Sequence, residues 1–132
     1  MEAEVRKLAI TINAPDSLLR VYDRPKGDRT PHIEIHGDVY HYVSTERGYE
    51  IFRKVINDEC ELFFMIFQRI TRTMSGDDEL KSKGGHRDCR RIIFSRMTEL
   101  LGMVDSDWEL KQKEIFEQVL IVAPFEDEEG GR

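Results

Sequence analysis

The turn Gly37-Asp38 constrains the fold of this chain more than any other feature. It separates two runs with the composition of strands, His32–His36 and Val39–Val43. A two-residue loop that begins with glycine is typical of a β-hairpin. With this loop, Ile33 lies opposite Tyr42, and side chains alternate between the two faces of each strand. One face then carries Ile33, Ile35, Tyr40 and Tyr42; the other carries His32, Glu34, His36, Val39, His41 and Val43.

The two faces of this hairpin are expected to have different environments. Pairs of aromatic and β-branched side chains stabilise neighbouring strands, so we expect the Ile/Tyr face to be buried. The histidine face then points outward or lies under a loop. Glu34, His36 and His41 on that face could bind Zn²⁺, because nitrogen and carboxylate ligands suit this ion. A cross-strand pair of Glu34 with His41 explains the same residues without a metal. We therefore expect no metal or other cofactor, and an alternative is a small metal-dependent or other catalytic domain built on these three residues.

The hydrophobic pattern predicts a mainly helical α+β fold with about four helices. Val5–Ile12 has helical spacing, and Leu18–Tyr22 could form a third strand at the edge of the hairpin. The second helix is predicted from about Thr45 to Met74, with an acidic, glycine-containing connector from Asp77 to Gly85 that could include one helical turn. This helix is apolar on every side over 62–67 (LFFMIF). Because such a helix must be covered on every side, we expect the other helices and the hairpin to pack around it.

Two further helices are predicted in the C-terminal half of the chain. The third runs from about His86 to Met103. The fourth begins with a capping box, in which Ser106 caps the helix and Glu109 reaches back, and it ends at Pro124. Its predicted buried face carries Trp108, Ile115, Val119 and Val122.

The distribution of charge sets the predicted boundaries of the folded part. The net charge of −6 is concentrated in residues 105–132, which contain nine acidic and three basic side chains. We expect one globular domain over 1–125 and an acidic, disordered tail over 126–132. Acidic surfaces attract basic partners and accelerate their association. Nucleic-acid binding normally needs a dominant basic patch, and the sequence shows none.

The composition and motifs also bear on the cellular location of the protein and on whether it is an enzyme. It has no apolar run of membrane-spanning length and no basic-then-apolar signal at its start. Cys60 and Cys89 have no CxxC partner, which is typical of reduced thiols in the cytoplasm. We expect both cysteines to lie on packed helices. Phosphate-loop, GxSxG and HExxH motifs are missing from the sequence, so the chain is not predicted to be an enzyme.

Several short motifs resemble the immunity protein 63 family of bacterial proteins. They are the run HIEIHGDVYHYVSTERG, the DCRR run at Asp88–Arg91, and a Trp-containing helix that ends in a proline. The resemblance covers about Val5 to Asp127. The matching positions are Tyr40, His41, Tyr42, Val43, Glu46, Arg47, Gly48, Asp88, Arg90 and Arg91. The resemblance implies a cytoplasmic antidote that binds and blocks a secreted or contact-delivered polymorphic toxin encoded beside it.

The charged motif residues have a structural interpretation. Glu46 and Arg47 lie at the predicted start of the second helix, and Asp88, Arg90 and Arg91 lie at that of the third. We therefore expect these five residues to form an internal ion-pair and capping network rather than the toxin-binding surface. The resemblance assigns no catalytic residue and no toxin-contact residue, and it leaves the oligomeric state open.

Overall fold

The computed structural model describes residues 1–82 and 89–125. Within these ranges the fold contains four α-helices and one three-stranded antiparallel sheet, which confirms the predicted mainly helical α+β class. The helices are α1 (Glu2–Ala9), α2 (Glu59–Ser82), α3 (Cys89–Val104) and α4 (Ser106–Val122). The strands are β1 (His32–His36), β2 (Val39–Glu46) and β3 (Tyr49–Ile56), in the spatial order β1-β2-β3.

The chain divides into two compact units. One consists of Met1–Lys7 and Pro15–Ile66, and the other of Leu8–Ala14 and Phe67–Arg132. The single domain proposed for 1–125 stays a prediction. The predicted tail at 126–132 lies outside the described residues. None of the described helices combines the length and the apolar character needed to cross a membrane.

The hairpin of β1 and β2 has the predicted register. Ile35 lies opposite Tyr40, Glu34 opposite His41, and Ile33 opposite Tyr42. Gly37 has a φ of 62°, which a glycine adopts without strain. The turn chemistry therefore determined the pairing of these strands.

The predicted burial of this hairpin is wrong in part. Burial divides it along its length rather than by face: His32 and Val43 are buried together with Ile33 and Tyr42, whereas Ile35 near the turn is 71% exposed. The segment that precedes β1 packs along the end of the hairpin that is opposite to the Gly37-Asp38 turn. There the Ile33 amide donates to the Tyr22 carbonyl at 2.9 Å, and the Ser44 hydroxyl donates to the Arg29 carbonyl at 2.8 Å.

The third strand is β3, where the sequence had predicted a helix starting near Glu46. The chain instead turns at Arg47 and Gly48, whose φ values of 51° and 83° are both left-handed. Two such residues form the type I′ turn that matches the twist of paired strands. The predicted edge strand at Leu18–Tyr22 is also wrong, because this segment has a short 3₁₀ turn at Asp16–Leu18 and a single isolated bridge from Tyr22 to His32.

A β-bulge interrupts the pairing of β2 with β3. Ser44 lies opposite Phe52 and Thr45 opposite Glu50, so Ile51 is the extra residue. All of β3 is exposed except Ile56.

Helix α2 begins and ends later than predicted. Asp58 precedes it, and its Oδ1 accepts from the Cys60 amide at 3.0 Å, as an N-cap does. The helix continues to Ser82, so 77–82 extends α2 beyond the single helical turn that the predicted connector allowed. The rest of that connector, 83–85, lies outside the described residues. The predicted apolar stretch is largely buried: Leu62, Phe63, Phe64, Ile66 and Phe67 are below a tenth exposed. Cys60 lies on this helix, as predicted, but in its first turn, where its side chain is exposed.

In the second unit, α4 packs against α3 through a stack of Phe94 on Phe116, whose ring centroids are 3.8 Å apart. Asp105, not Ser106, caps α4, because its Oδ1 accepts from the Asp107 amide at 2.8 Å. Trp108 is buried as predicted, and its ring lies 5.5 Å from that of Phe67.

The predicted buried face of α4 is otherwise wrong. Because Phe116 provides the contact with α3, the buried stripe of α4 runs from Trp108 through the buried Gln112 towards Phe116. The remaining residues of the predicted face are exposed: Ile115, Val119 and Val122.

Candidate functional site

The three residues predicted as possible metal ligands meet on one face of the sheet. Atoms of Glu34, His36 and His41 that could bind a metal lie within 4.8 Å of one another. The rings of His36 and His41 have centroids 4.2 Å apart. Glu34 and His41 are cross-strand neighbours, as the hairpin register predicted.

Glu34 is the acceptor at the centre of this cluster. Its Oε2 accepts from His32 Nε2 at 2.8 Å, and its Oε1 accepts from His36 Nε2 at 2.8 Å and from Arg53 Nη1 at 3.0 Å. These hydrogen bonds, that from Arg53 above all, hold the pKa of Glu34 well below its usual range. The carboxylate is therefore ionised throughout the physiological pH range.

Arg53 is the member of the cluster that the sequence did not reveal. It lies on β3, and its Nε donates to Glu50 Oε1 at 2.8 Å. Its Nη1 also donates to His41 Nδ1 at 2.7 Å, so this nitrogen is the acceptor and the ring proton is on Nε2. The two carboxylates, Glu34 first, raise the pKa of Arg53 above its ordinary value.

His32 completes the cluster from the buried end of β1. Its side chain is 1% exposed, and Nε2 donates to Glu34. The other ring nitrogen, Nδ1, is buried and forms no hydrogen bond within the described part of the chain. Within the described ranges, Glu34 is therefore the one polar group that fixes the orientation of this ring by a hydrogen bond.

The arrangement of donors favours an ion-pair network over a metal centre. Arg53 donates to a Glu34 oxygen and to the His41 nitrogen, two of the three groups that would bind a metal. A divalent cation would have to displace the guanidinium group and would be repelled by its charge. The Arg53 guanidinium therefore provides the positive charge that a metal ion would otherwise bring to this cluster.

Glu46 and Arg47, two of the charged motif residues, do not lie at a helix N-terminus, contrary to the prediction. Glu46 ends β2, and its Oε2 accepts from Arg29 Nε at 2.8 Å. Arg47 begins the type I′ turn, and its amide donates to the Gly27 carbonyl at 3.0 Å. These contacts hold the segment around Asp28 against the end of β2, where Asp28 and Glu46 form an isolated bridge.

Arg90 and Arg91 lie at the start of α3, as predicted. Arg90 donates to the carbonyl oxygens of Ala123 at 2.9 Å and Pro124 at 2.8 Å. The guanidinium of Arg91 lies 4.2 Å from the ring centroid of Phe125, a cation–π contact. Arg90 thus caps the C-terminal end of α4, where positive charge is favourable. Asp88 lies outside the described residues.

The exposed surface of β3 is unusually apolar for an edge strand. Four large apolar side chains on it are at least two-fifths exposed: Tyr49 78%, Ile51 50%, Phe52 43% and Val55 57%. Sequence reasoning missed this surface, because it assigned these residues to a helix.

These features define a small α+β protein. Its candidate metal ligands, Glu34, His36 and His41, belong to a network of hydrogen bonds and ion pairs, and the apolar side chains of strand β3 are exposed. The model of the family Immunity protein 63 matches residues 37–118, more than half of the 132 residues. The chain belongs to this family, which confirms the resemblance found in its motifs. The family indicates an immunity protein, with a toxin as its partner and a non-enzymatic role. No curated protein and no solved structure matches the chain.

Proposed function

We propose that this protein neutralises a cognate bacterial toxin by binding it and occluding its active surface. The match to Immunity protein 63 over residues 37–118 is the observation that carries this proposal. The toxin belongs to a polymorphic or contact-delivered system, and the protein acts in the cytoplasm of the cell that it protects. Occlusion needs a complementary surface rather than a catalytic centre, and the exposed side chains of β3 are suited to such a contact.

The charge of the chain supports a basic toxin as the partner. The protein carries a net charge of −6, with the excess in residues 105–132. Opposite net charges accelerate association, and salt screens this effect. The rate constant for association with the toxin should therefore fall as the salt concentration rises, while the dissociation rate changes less.

Co-expression with the toxin tests the proposal. The toxin domain is taken from the gene next to that of this protein and is induced in a bacterial host with and without it. We expect growth to be restored only when the two are co-expressed, and the purified proteins to elute together in gel filtration. A host that expresses a noncognate immunity protein is the control. Failure of both growth rescue and co-elution would overturn the proposal.

A second candidate function rests on one observation. Glu34, His36 and His41 are close enough to bind a metal, which would suit a small metal-dependent or other catalytic domain. The position of Arg53 between Glu34 and His41 favours the first candidate.

A further inference from the structure

The outer edge of β3 has no neighbouring strand in the described residues. Strand β2 is its partner on the inner side, and no described residue forms a backbone hydrogen bond with its outer side. The outer edge of β1 differs, because the carbonyl of Tyr22 accepts from Ile33 there. An exposed edge is a template for another strand, and natural proteins usually protect it.

The side chains of β3 place an exposed apolar residue on each face of the sheet. Pairing with β2 puts Phe52 on the face of Tyr42, and their ring centroids are 6.0 Å apart. Val55 lies on the opposite face, across from His41. A strand added beside β3 would therefore meet exposed apolar side chains above and below the sheet.

The charges on β3 restrict which strand can bind. Arg53 is paired with Glu34 and Glu50. Lys54 has no ion-pair partner among the described residues. A neighbouring strand would desolvate this ammonium group, which is unfavourable unless the strand brings a carboxylate. The edge therefore suits an extended segment with apolar side chains and an acidic residue beside Lys54.

We propose that the outer edge of β3 is the toxin-binding surface, and that the toxin adds an extended segment of this chemistry to the sheet as a fourth strand. This inference rests on the proposed function, which supplies the partner. Binding by strand addition draws affinity from backbone hydrogen bonds and specificity from side chains on the two faces. All of β3 lies within the matched residues 37–118, whereas Glu34 and His36 precede them.

Matched variants on the two edges of the sheet test this surface. The probe is the purified toxin domain encoded by the neighbouring gene, titrated against the full chain. Val55→Lys should weaken binding roughly tenfold or more, and Lys54→Glu about tenfold, because each opposes the incoming strand. The control is Ile35→Lys, an exposed β-branched residue on β1, and it should change the affinity by less than about threefold.

Hydrogen exchange of the wild-type protein gives a readout that does not depend on the folding of a variant. Amides of 49–56 should exchange more slowly in the complex than in the free protein. If the wild type binds the toxin but neither variant weakens binding and these amides gain no protection, this surface is wrong and the proposed function stands. Equal losses for Val55→Lys and Ile35→Lys would also overturn it.

Two other outcomes would overturn this inference in different ways. If the wild type neither binds the toxin nor restores growth, the proposed function fails and this inference fails with it. If the free protein is a dimer in gel filtration that Val55→Lys separates into monomers, the edge binds a second copy of this chain rather than the toxin.

Discussion

Arg53 on β3 reaches across β2 to Glu34 on β1, and Nη1 lies 3.0 Å from Oε1. The two strands are not neighbours, and adjacent strands are about 4.8 Å apart, so the pair spans about 10 Å of sheet. A long side chain is needed for this distance. The same guanidinium donates to His41 on the intervening strand, so one cation connects all three strands.

Replacing Glu34 should destabilise the protein more than replacing Glu50. Glu34→Ala removes an acceptor that His32, His36 and Arg53 share, and it leaves the buried His32 side chain without a hydrogen-bond partner among the described residues. We expect a loss of about 1 kcal/mol in the free energy of unfolding, after allowing for partial exposure of the carboxylate. Glu50 contacts only Arg53 within this cluster, so Glu50→Ala is the matched control with a smaller loss. Urea denaturation measures both, and equal losses would contradict the central position of Glu34.

The low pKa of Glu34 should make stability depend on acid pH. The pKa is depressed in the folded protein, first by Arg53, and is about 4.3 in the unfolded chain. The stabilisation is therefore fully present above the unfolded value and is lost as the pH falls towards the folded value. From about pH 5 to about pH 3, the wild type should lose more stability than Glu34→Gln. Urea midpoints at several pH values test this, and parallel curves for the two proteins would refute it.

Metal binding should increase only when Arg53 is removed. In the wild type this residue donates to two of the three possible ligands, so we expect no stoichiometric zinc after purification and no change in melting temperature with a chelator. Arg53→Met removes the competing charge and should bind added Zn²⁺ roughly tenfold more tightly than the wild type. Elemental analysis and calorimetry measure these effects. Stoichiometric zinc in the wild type, lost in His41→Ala, would instead support the metal-dependent alternative.

The hairpin could be predicted from sequence because Gly37-Asp38 determines both the turn and the register. The strand β3 could not be predicted as easily. Its turn has Arg47 where type I′ turns prefer Asn or Asp, and the bulge at Ile51 breaks the alternation of apolar residues. Asp58 is a stronger helix-start signal than Thr45, since its side chain caps α2.

The candidate site was predictable only as far as the hairpin itself was. Pairing of β1 with β2 placed Glu34 beside His41, and the structure has them there. Arg53 reaches the same cluster only because β3 folds back on β2. Because 49–56 was assigned to a helix, neither the position of Arg53 in the cluster nor the exposed apolar edge of β3 was predicted.

The pair of Gln68 and Gln112 in the second unit should show strong coupling. Gln68 Nε2 donates to Oε1 of the buried Gln112 at 2.7 Å. Gln68→Ala leaves this acceptor without its donor, which should lower the free energy of unfolding by about 1–3 kcal/mol. In Gln68→Met with Gln112→Leu, neither polar group remains, so the loss should be smaller than for Gln68→Ala. A double-mutant cycle of Gln68→Met, Gln112→Leu and the variant with both, measured by urea denaturation, gives the coupling, and additive losses would contradict it.

Two substitutions in the turn between β2 and β3 should have opposite effects on stability. Arg47 has a φ of 51°, which is unfavourable for most side chains, whereas Asn tolerates it. Arg47→Asn should therefore stabilise the protein by about 1 kcal/mol or less, because it removes only part of the cost of the left-handed conformation. Gly48 has a φ of 83°, and a Cβ added there would have no atom within 4 Å beyond its chain neighbours, so Gly48→Ala acts on the backbone alone and should destabilise the protein by about 1 kcal/mol. Thermal unfolding of both variants at neutral pH checks the signs, and stabilisation by Gly48→Ala would mean that this turn is not type I′ in solution.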